Sequence, residues 1–144
     1  MRCSFKVREM MRIVLGIIIG FVVWSIVWVG SESTLASISP DWLGLYSQGV
    51  ERAIFNKEPF EYDNAIAAIN LLRSVITSII AGYMCALAAG EYRRSTTALG
   101  LLLIVVGIIV EAYLWAYAPV WYHIGFILLL LPAVVLGGRL RRSS

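Results

Sequence analysis

Four apolar stretches divide this chain: Ile13 to Gly30, Ala68 to Ala89, Thr97 to Ala118 and Val120 to Gly138. Each is close to the ~20 residues that cross a hydrocarbon core of about 30 Å. Backbone N–H and C=O groups find no water inside lipid, so segments of this length are held to helical conformation. With 144 residues the chain has room for little else. The predicted fold is therefore all-α: one domain over residues 1–144, a four-helix transmembrane bundle with a long outer connection between the first two spans. A mean hydropathy of +0.81 and 60% apolar residues lie above the soluble norm and agree with it.

Charge gives the expected orientation, because Lys and Arg near span ends are retained on the cytoplasmic side. Arg2, Lys6, Arg8, Arg12, Arg93, Arg94, Arg139, Arg141 and Arg142, nine of the twelve basic residues, fall on one side of the four spans. The connection on the other side holds Glu32, Asp41, Glu51, Glu58, Glu61 and Asp63 against Arg52, Lys57 and the near-membrane Arg73. Both termini are expected in the cytoplasm. The pI of about 9.1 then reflects topology and anionic lipid head groups, with the bilayer as partner. Nucleic-acid binding is not expected, since the basic residues hug span ends and form no surface interleaved with aromatics.

The first span competes with a signal peptide, and Thr34-Leu35-Ala36 loosely resembles a cleavage site. Its apolar run exceeds the ~7 to 15 residues usual for a signal core, so retention is expected. Cys3 in the basic tail and Cys85 in the second span predict no disulfide and offer no metal-ligand spacing.

Asp63-Asn64 reads as an N-cap for a helix from Ala65 onward, and Gly90 as its C-terminal stop. Trp42, Leu45, Tyr46, Val50 and Ile54 recur at roughly helical spacing, which fits a short amphipathic segment on the outer interface; an irregular loop is the competing reading. Ser74, Ser78, Gly82, Ala86 and Gly90 recur every fourth residue and form a small-residue groove, with Gly16 and Gly20 offering another on the first span. Such grooves let helix backbones approach closely, which substitutes for the weak hydrophobic drive between helices in lipid. Packing within the bundle is the simpler use of them, and a homo-oligomer or a membrane-protein partner the other.

Asn70, Arg73 and Thr77 lie beside the groove, and Gly100, Gly107 and Glu111 share one face of the third span. A carboxylate inside a span costs roughly 2.5 to 3.5 kcal/mol on insertion scales and needs a partner. Arg73 and Glu111 should sit at similar depths, roughly 7 to 9 Å below the outer boundary at 1.5 Å per residue. The spacing predicts a buried ion pair between them, structural rather than catalytic. Alternatively Arg73 snorkels outward and Glu111 is protonated. His123, beside Trp121 and Tyr122, lies at the same boundary, but a metal site recruits several ligands and no second His or Cys is near it in sequence. No metal or cofactor is expected. The surrounding aromatics read as an interfacial belt, with an aromatic cleft above Glu111 for a lipid head group or quinone as the alternative.

The run Val14-Leu15-Gly16-Ile17-Ile18-Ile19-Gly20-Phe21 and the ending Pro119-Val120-Trp121-Tyr122, Pro132-Ala133 and Gly137-Gly138-Arg139-Leu140 resemble small four-span bacterial integral membrane proteins that carry no established activity. The resemblance implies a multi-pass protein of a bacterial cytoplasmic membrane. Small multidrug transporters also have four spans and a membrane carboxylate, but theirs lies in the first span and their loops are short. Three function classes follow. A structural or accessory membrane protein needs only the grooves and one buried pair; a proton-coupled transporter would use Glu111; an enzyme acting on lipid or quinone ranks last, because no catalytic constellation is visible.

Overall fold

The computed structural model describes residues 2–143, with side chains described for 6–142; Cys3 and Arg2 therefore lie outside the described side chains. Five α-helices follow one another: α1 (Arg2–Ile38), α2 (Leu45–Asn56), α3 (Asn64–Ala89), α4 (Arg93–Tyr113) and α5 (Val120–Ser143). A π turn, Pro40–Gly44, leads into α2, and a 3₁₀ turn, Trp115–Tyr117, joins α4 to α5. No strand occurs among the described residues. Four helices, α1, α3, α4 and α5, are long and apolar enough to cross a bilayer, which is the architecture of a multi-pass membrane protein.

Each helix end has a local cause. The Asp63 carboxylate accepts from the Ala65 and Ile66 amides at 2.7 and 3.4 Å and caps α3, as its sequence predicts. Gly90 ends α3 in the left-handed region at φ 75°, where a glycine costs nothing sterically. Glu91 then accepts from the Arg94 and Ser95 amides at 3.0 and 2.6 Å and starts α4.

Three helices differ from the expected spans, the last of them because α5 runs past Gly138 to Ser143. The first does not stop near Gly30: α1 has 37 residues, about 55 Å at 1.5 Å per residue, and continues to Ile38. Along its polar extension the Ser33, Thr34 and Ser37 hydroxyls donate to carbonyls four residues back, a pattern that satisfies these side chains without breaking the helix. It ends at Pro40, which disfavours helix in the residue before it. The third span does not run to Ala118. α4 closes at Tyr113, and Ala118, preceding Pro119, is extended at φ −147°, ψ 160°.

α3 packs chiefly on α5 and α1, and α4 chiefly on α5 and then α1, so the spans run round the bundle in the order α1, α3, α5, α4. Both termini lie at one end, with Arg94 pairing with Glu9 at 3.5 Å and Arg142 stacking over Tyr92. The small residues bring backbones together there. A Cβ on Gly82 would overlap the Val134 carbonyl, one on Gly137 the Ile79 carbonyl, and one on Gly16 would lie 2.7 Å from the Cys85 carbonyl oxygen. Ser74, Ser78 and Ala86 are buried in the same face, and Trp24 Nε1 donates to Ser78 Oγ at 3.1 Å across to α1. Gly20 and Gly100 serve similarly, against Cys85 and Leu131, and Gly107 packs on Leu130 and Phe126. Gly90 is exposed and caps the helix rather than lining the groove. Cys85 is a buried free thiol.

Gly82→Leu must displace α5 backbone, whereas Gly125→Leu meets only the flexible end of Leu71, 3.2 Å from a Cβ. The first change is expected to cost at least the roughly 1 to 3 kcal/mol of core overpacking, and the second clearly less. Thermal unfolding of both variants in detergent checks this; equal tolerance would remove the groove from the packing scheme.

Candidate functional site

At the end away from the termini the helices part around a cavity of about 460 Å³. The reason lies in side-chain size. α1 contributes Trp24, Trp28 and Leu35 here, α4 contributes Leu103 and Val110, and α5 contributes Tyr122 and Phe126, where the opposite half of the bundle presents glycines. α2 roofs the cavity with Tyr46, Val50 and Ile54, one stripe at helical spacing. The expected amphipathic segment is thus a helix whose apolar stripe faces inward, while Trp42 and Leu45 of the same predicted stripe are exposed.

Polar contacts hold the roof down. The Asp63 amide donates to the Tyr46 hydroxyl at 3.4 Å, Ser47 donates to Glu32 Oε1 at 3.1 Å, and Tyr117 donates to the Ala53 carbonyl at 3.5 Å. Burial pushes the Tyr46 phenol up from its ordinary value, so it stays a neutral hydroxyl at the cavity wall.

Within the cavity wall, Glu111 and His123 form a buried pair, 5% and 1% exposed, through Glu111 Oε2 and His123 Nδ1. His123 Nε2 faces the carbonyl oxygens of Trp115 and Ala118 at 3.3 and 3.2 Å. Carbonyls only accept, so Nε2 carries a proton. One further proton then sits between Nδ1 and Oε2, on the ring or on the carboxyl, and either placement leaves the pair neutral overall. Trp115 stacks on the imidazole with centroids 4.8 Å apart. The early end of α4 shapes this site: the 3₁₀ turn and the extended Ala118 that follows it bring the Trp115 and Ala118 carbonyls to Nε2.

The structure does not bring Arg73 and Glu111 together. Arg73 Nη2 meets Glu32 Oε2 at 3.5 Å, and the guanidinium lies 4.0 Å from the Trp28 ring centroid. The Arg73 side chain is 10% exposed, and its Nε is buried without a hydrogen-bond partner. Glu111 needs no arginine because His123 already neutralises it. Asn70 and Tyr122 line the cavity with Arg73 and Glu111. Thr77 is buried but is not part of the lining, and Trp121 is exposed and donates to Asn64 Oδ1 at 3.2 Å. No group of three His, Cys, Asp or Glu side chains gathers among the described residues.

Sequence reasoning missed two partners, and both had a signal. Glu111 and His123 flank one short α4–α5 connection, so a helical hairpin places the last turn of one beside the first turn of the other. Trp24, Trp28 and Glu32 follow at i, i+4 and i+8, one face of α1 once the helix is extended past Gly30.

Comparison with protein-family models, with curated proteins and with solved structures gave no match.

The assigned pairs predict coupling energies. Glu111→Gln and His123→Phe should each cost roughly 1 to 3 kcal/mol, the range for stranding a buried hydrogen-bonding group. Their double-mutant cycle should show coupling above about 0.5 kcal/mol, while Glu111→Gln with Arg73→Gln should be additive within that margin. The opposite pattern in thermal unfolding would restore the arginine–glutamate pair.

Proposed function

We propose that this protein is a small multi-pass component of a bacterial cytoplasmic membrane, with both termini cytoplasmic, that binds an amphipathic molecule in a roofed cavity facing the outer leaflet. Its role on this reading is accessory or interactive rather than catalytic. The observation that carries it is the cavity, about 460 Å³ and walled by aromatic and aliphatic side chains with a few convergent polar groups. Volumes of about 300 to 1,000 Å³ with that lining are typical of small-molecule sites. The nine-to-three basic asymmetry supports the orientation. The outward flank of α1, which includes Val14, Ile18, Val22, Ile26 and Val29, is exposed and available to lipid or to a second membrane protein.

A proton-coupled transporter remains the second reading, favoured by one observation: the Glu111–His123 pair holds a proton at the cavity wall. Against it stands the close backbone packing of Gly82 on Val134 and Gly137 on Ile79 toward the other side. Proton-coupled uptake into liposomes by the purified protein, lost in Glu111→Gln, would favour transport over binding.

Native mass spectrometry of protein purified in mild detergent is expected to show a retained lipophilic molecule. Val106→Trp, which places a large ring from the half-buried wall of α4 into the cavity, should lose it while keeping the fold. Equal retention by both proteins, or no bound molecule in either, counts against the cavity as the working part. Reporter fusions at both ends should read cytoplasmic, and an outward C-terminus would mean that one helix does not cross.

A further inference from the structure

The cavity contains a cation whose hydrogen-bonding capacity is largely unused. A guanidinium carries five N–H donors and no acceptor. Arg73, nine-tenths buried in the wall, makes one hydrogen bond among the described residues, to Glu32 at 3.5 Å, and its Nε is enclosed without a partner. Its charge is otherwise steadied by the Trp28 face. Unmade bonds of a buried charged group cost more than those of a neutral one, which favours an additional acceptor at this point.

Building on the cavity reading, we infer that Arg73 seats the oxyanion head of a single-chain amphiphile, a phosphate or a carboxylate, and that Glu32 holds this seat when no ligand is present. A planar guanidinium meets either oxyanion through paired N–H groups. Glu32 is suited to give way. It reaches Arg73 through one oxygen at the limit of hydrogen-bond distance, and its side chain is 47% exposed, so water solvates it once it turns aside. Its other oxygen is occupied by Ser47 of the roof. The remaining charged groups on the lining do not oppose the anion strongly: Glu111 is neutralised by His123, and Glu51 is exposed to solvent.

The test uses the full chain in a neutral maltoside detergent, titrated with amphiphiles of equal chain length: a lysophosphatidic acid, a fatty acid, and an uncharged monoacylglycerol. Binding is followed by tryptophan fluorescence and native mass spectrometry. At least one acidic amphiphile should bind about tenfold or more tighter than the monoacylglycerol, a difference worth about 1.4 kcal/mol. A preference for the phosphate points to a phospholipid head group, and a preference for the carboxylate to a fatty acid. Arg73→Gln should abolish the preference, and Glu32→Gln should strengthen acidic binding several-fold by removing the competing carboxylate. Monoacylglycerol bound as tightly as both acids overturns the proposal while leaving the cavity reading intact; no saturable binding of any of the three overturns both. If Arg73→Gln does not fold, Glu32→Gln decides alone, and unchanged or weaker acidic binding by that variant overturns the assignment.

Discussion

The arrangement depends on how closely α3 lets its neighbours approach. In lipid, helices gain little by hiding apolar surface from one another, so association rests on van der Waals fit and on interhelical hydrogen bonds. Gly82 against the Val134 carbonyl and Gly137 against the Ile79 carbonyl bring α3 and α5 together on backbone atoms, and Gly16 and Gly20 do the same for α1 on Cys85 and Ala81. These contacts fall in the half of the bundle near the termini. Further along the same helices stand Trp24, Trp28, Tyr122 and Phe126, which keep backbones apart. A bundle pinned at one end and propped by large rings at the other encloses space, and the cavity follows from that gradient of residue size.

Enclosing space inside a membrane exposes the question of charge. The two buried charged side chains, Glu111 and Arg73, are each answered by a neighbouring element of the bundle. α5 follows α4 through a short turn, so Glu111 meets His123; α1 flanks α3, so Arg73 meets Trp28 and Glu32. The first answer is complete, because two carbonyls fix the outer proton of the imidazole and the carboxyl takes the inner face. The second is partial, and the two sites differ in what they still offer. One holds a proton between two groups that satisfy each other; the other holds a cation with donors to spare.

Much of the scaffold was legible in the sequence, since its signals are local. Apolar length marked the four spans, the fourfold spacing of Ser74, Ser78, Gly82 and Ala86 marked the packed face, and Asp63 and Gly90 marked the ends of α3; helical spacing from Tyr46 to Ile54 suggested a short helix but not that it would cover a cavity. The pairing of charges was not legible from depth alone. Arg73 and Glu111 sit on helices that are consecutive in sequence but diagonal in the bundle, and the ring order α1, α3, α5, α4 is set by which small faces fit together. Hydropathy also misjudged where helices end. It stopped the first at Gly30, because polar residues lower the average although their hydroxyls bond back into the helix, and it carried the third to Ala118 past the constraint that Pro119 imposes.

Those two boundary differences are what create the site. If α1 ended near Gly30, Glu32 would lie outside the helical face that carries Trp24 and Trp28, and Arg73 would have no carboxylate beside it. If α4 ran on to Ala118, the turn that brings the Trp115 and Ala118 carbonyls to the His123 ring would be replaced by helix. The extension of α1 also ties the roof to the cation, because Glu32 serves Ser47 with Oε1 and Arg73 with Oε2. The two oxygens belong to different partners, so drawing the carboxylate off Arg73 does not by itself release α2, which keeps its contacts through Tyr46 to Asp63 and through Ala53 to Tyr117. The exchange proposed at Arg73 would then call for a rotation of the Glu32 side chain, with α2 held by these other contacts.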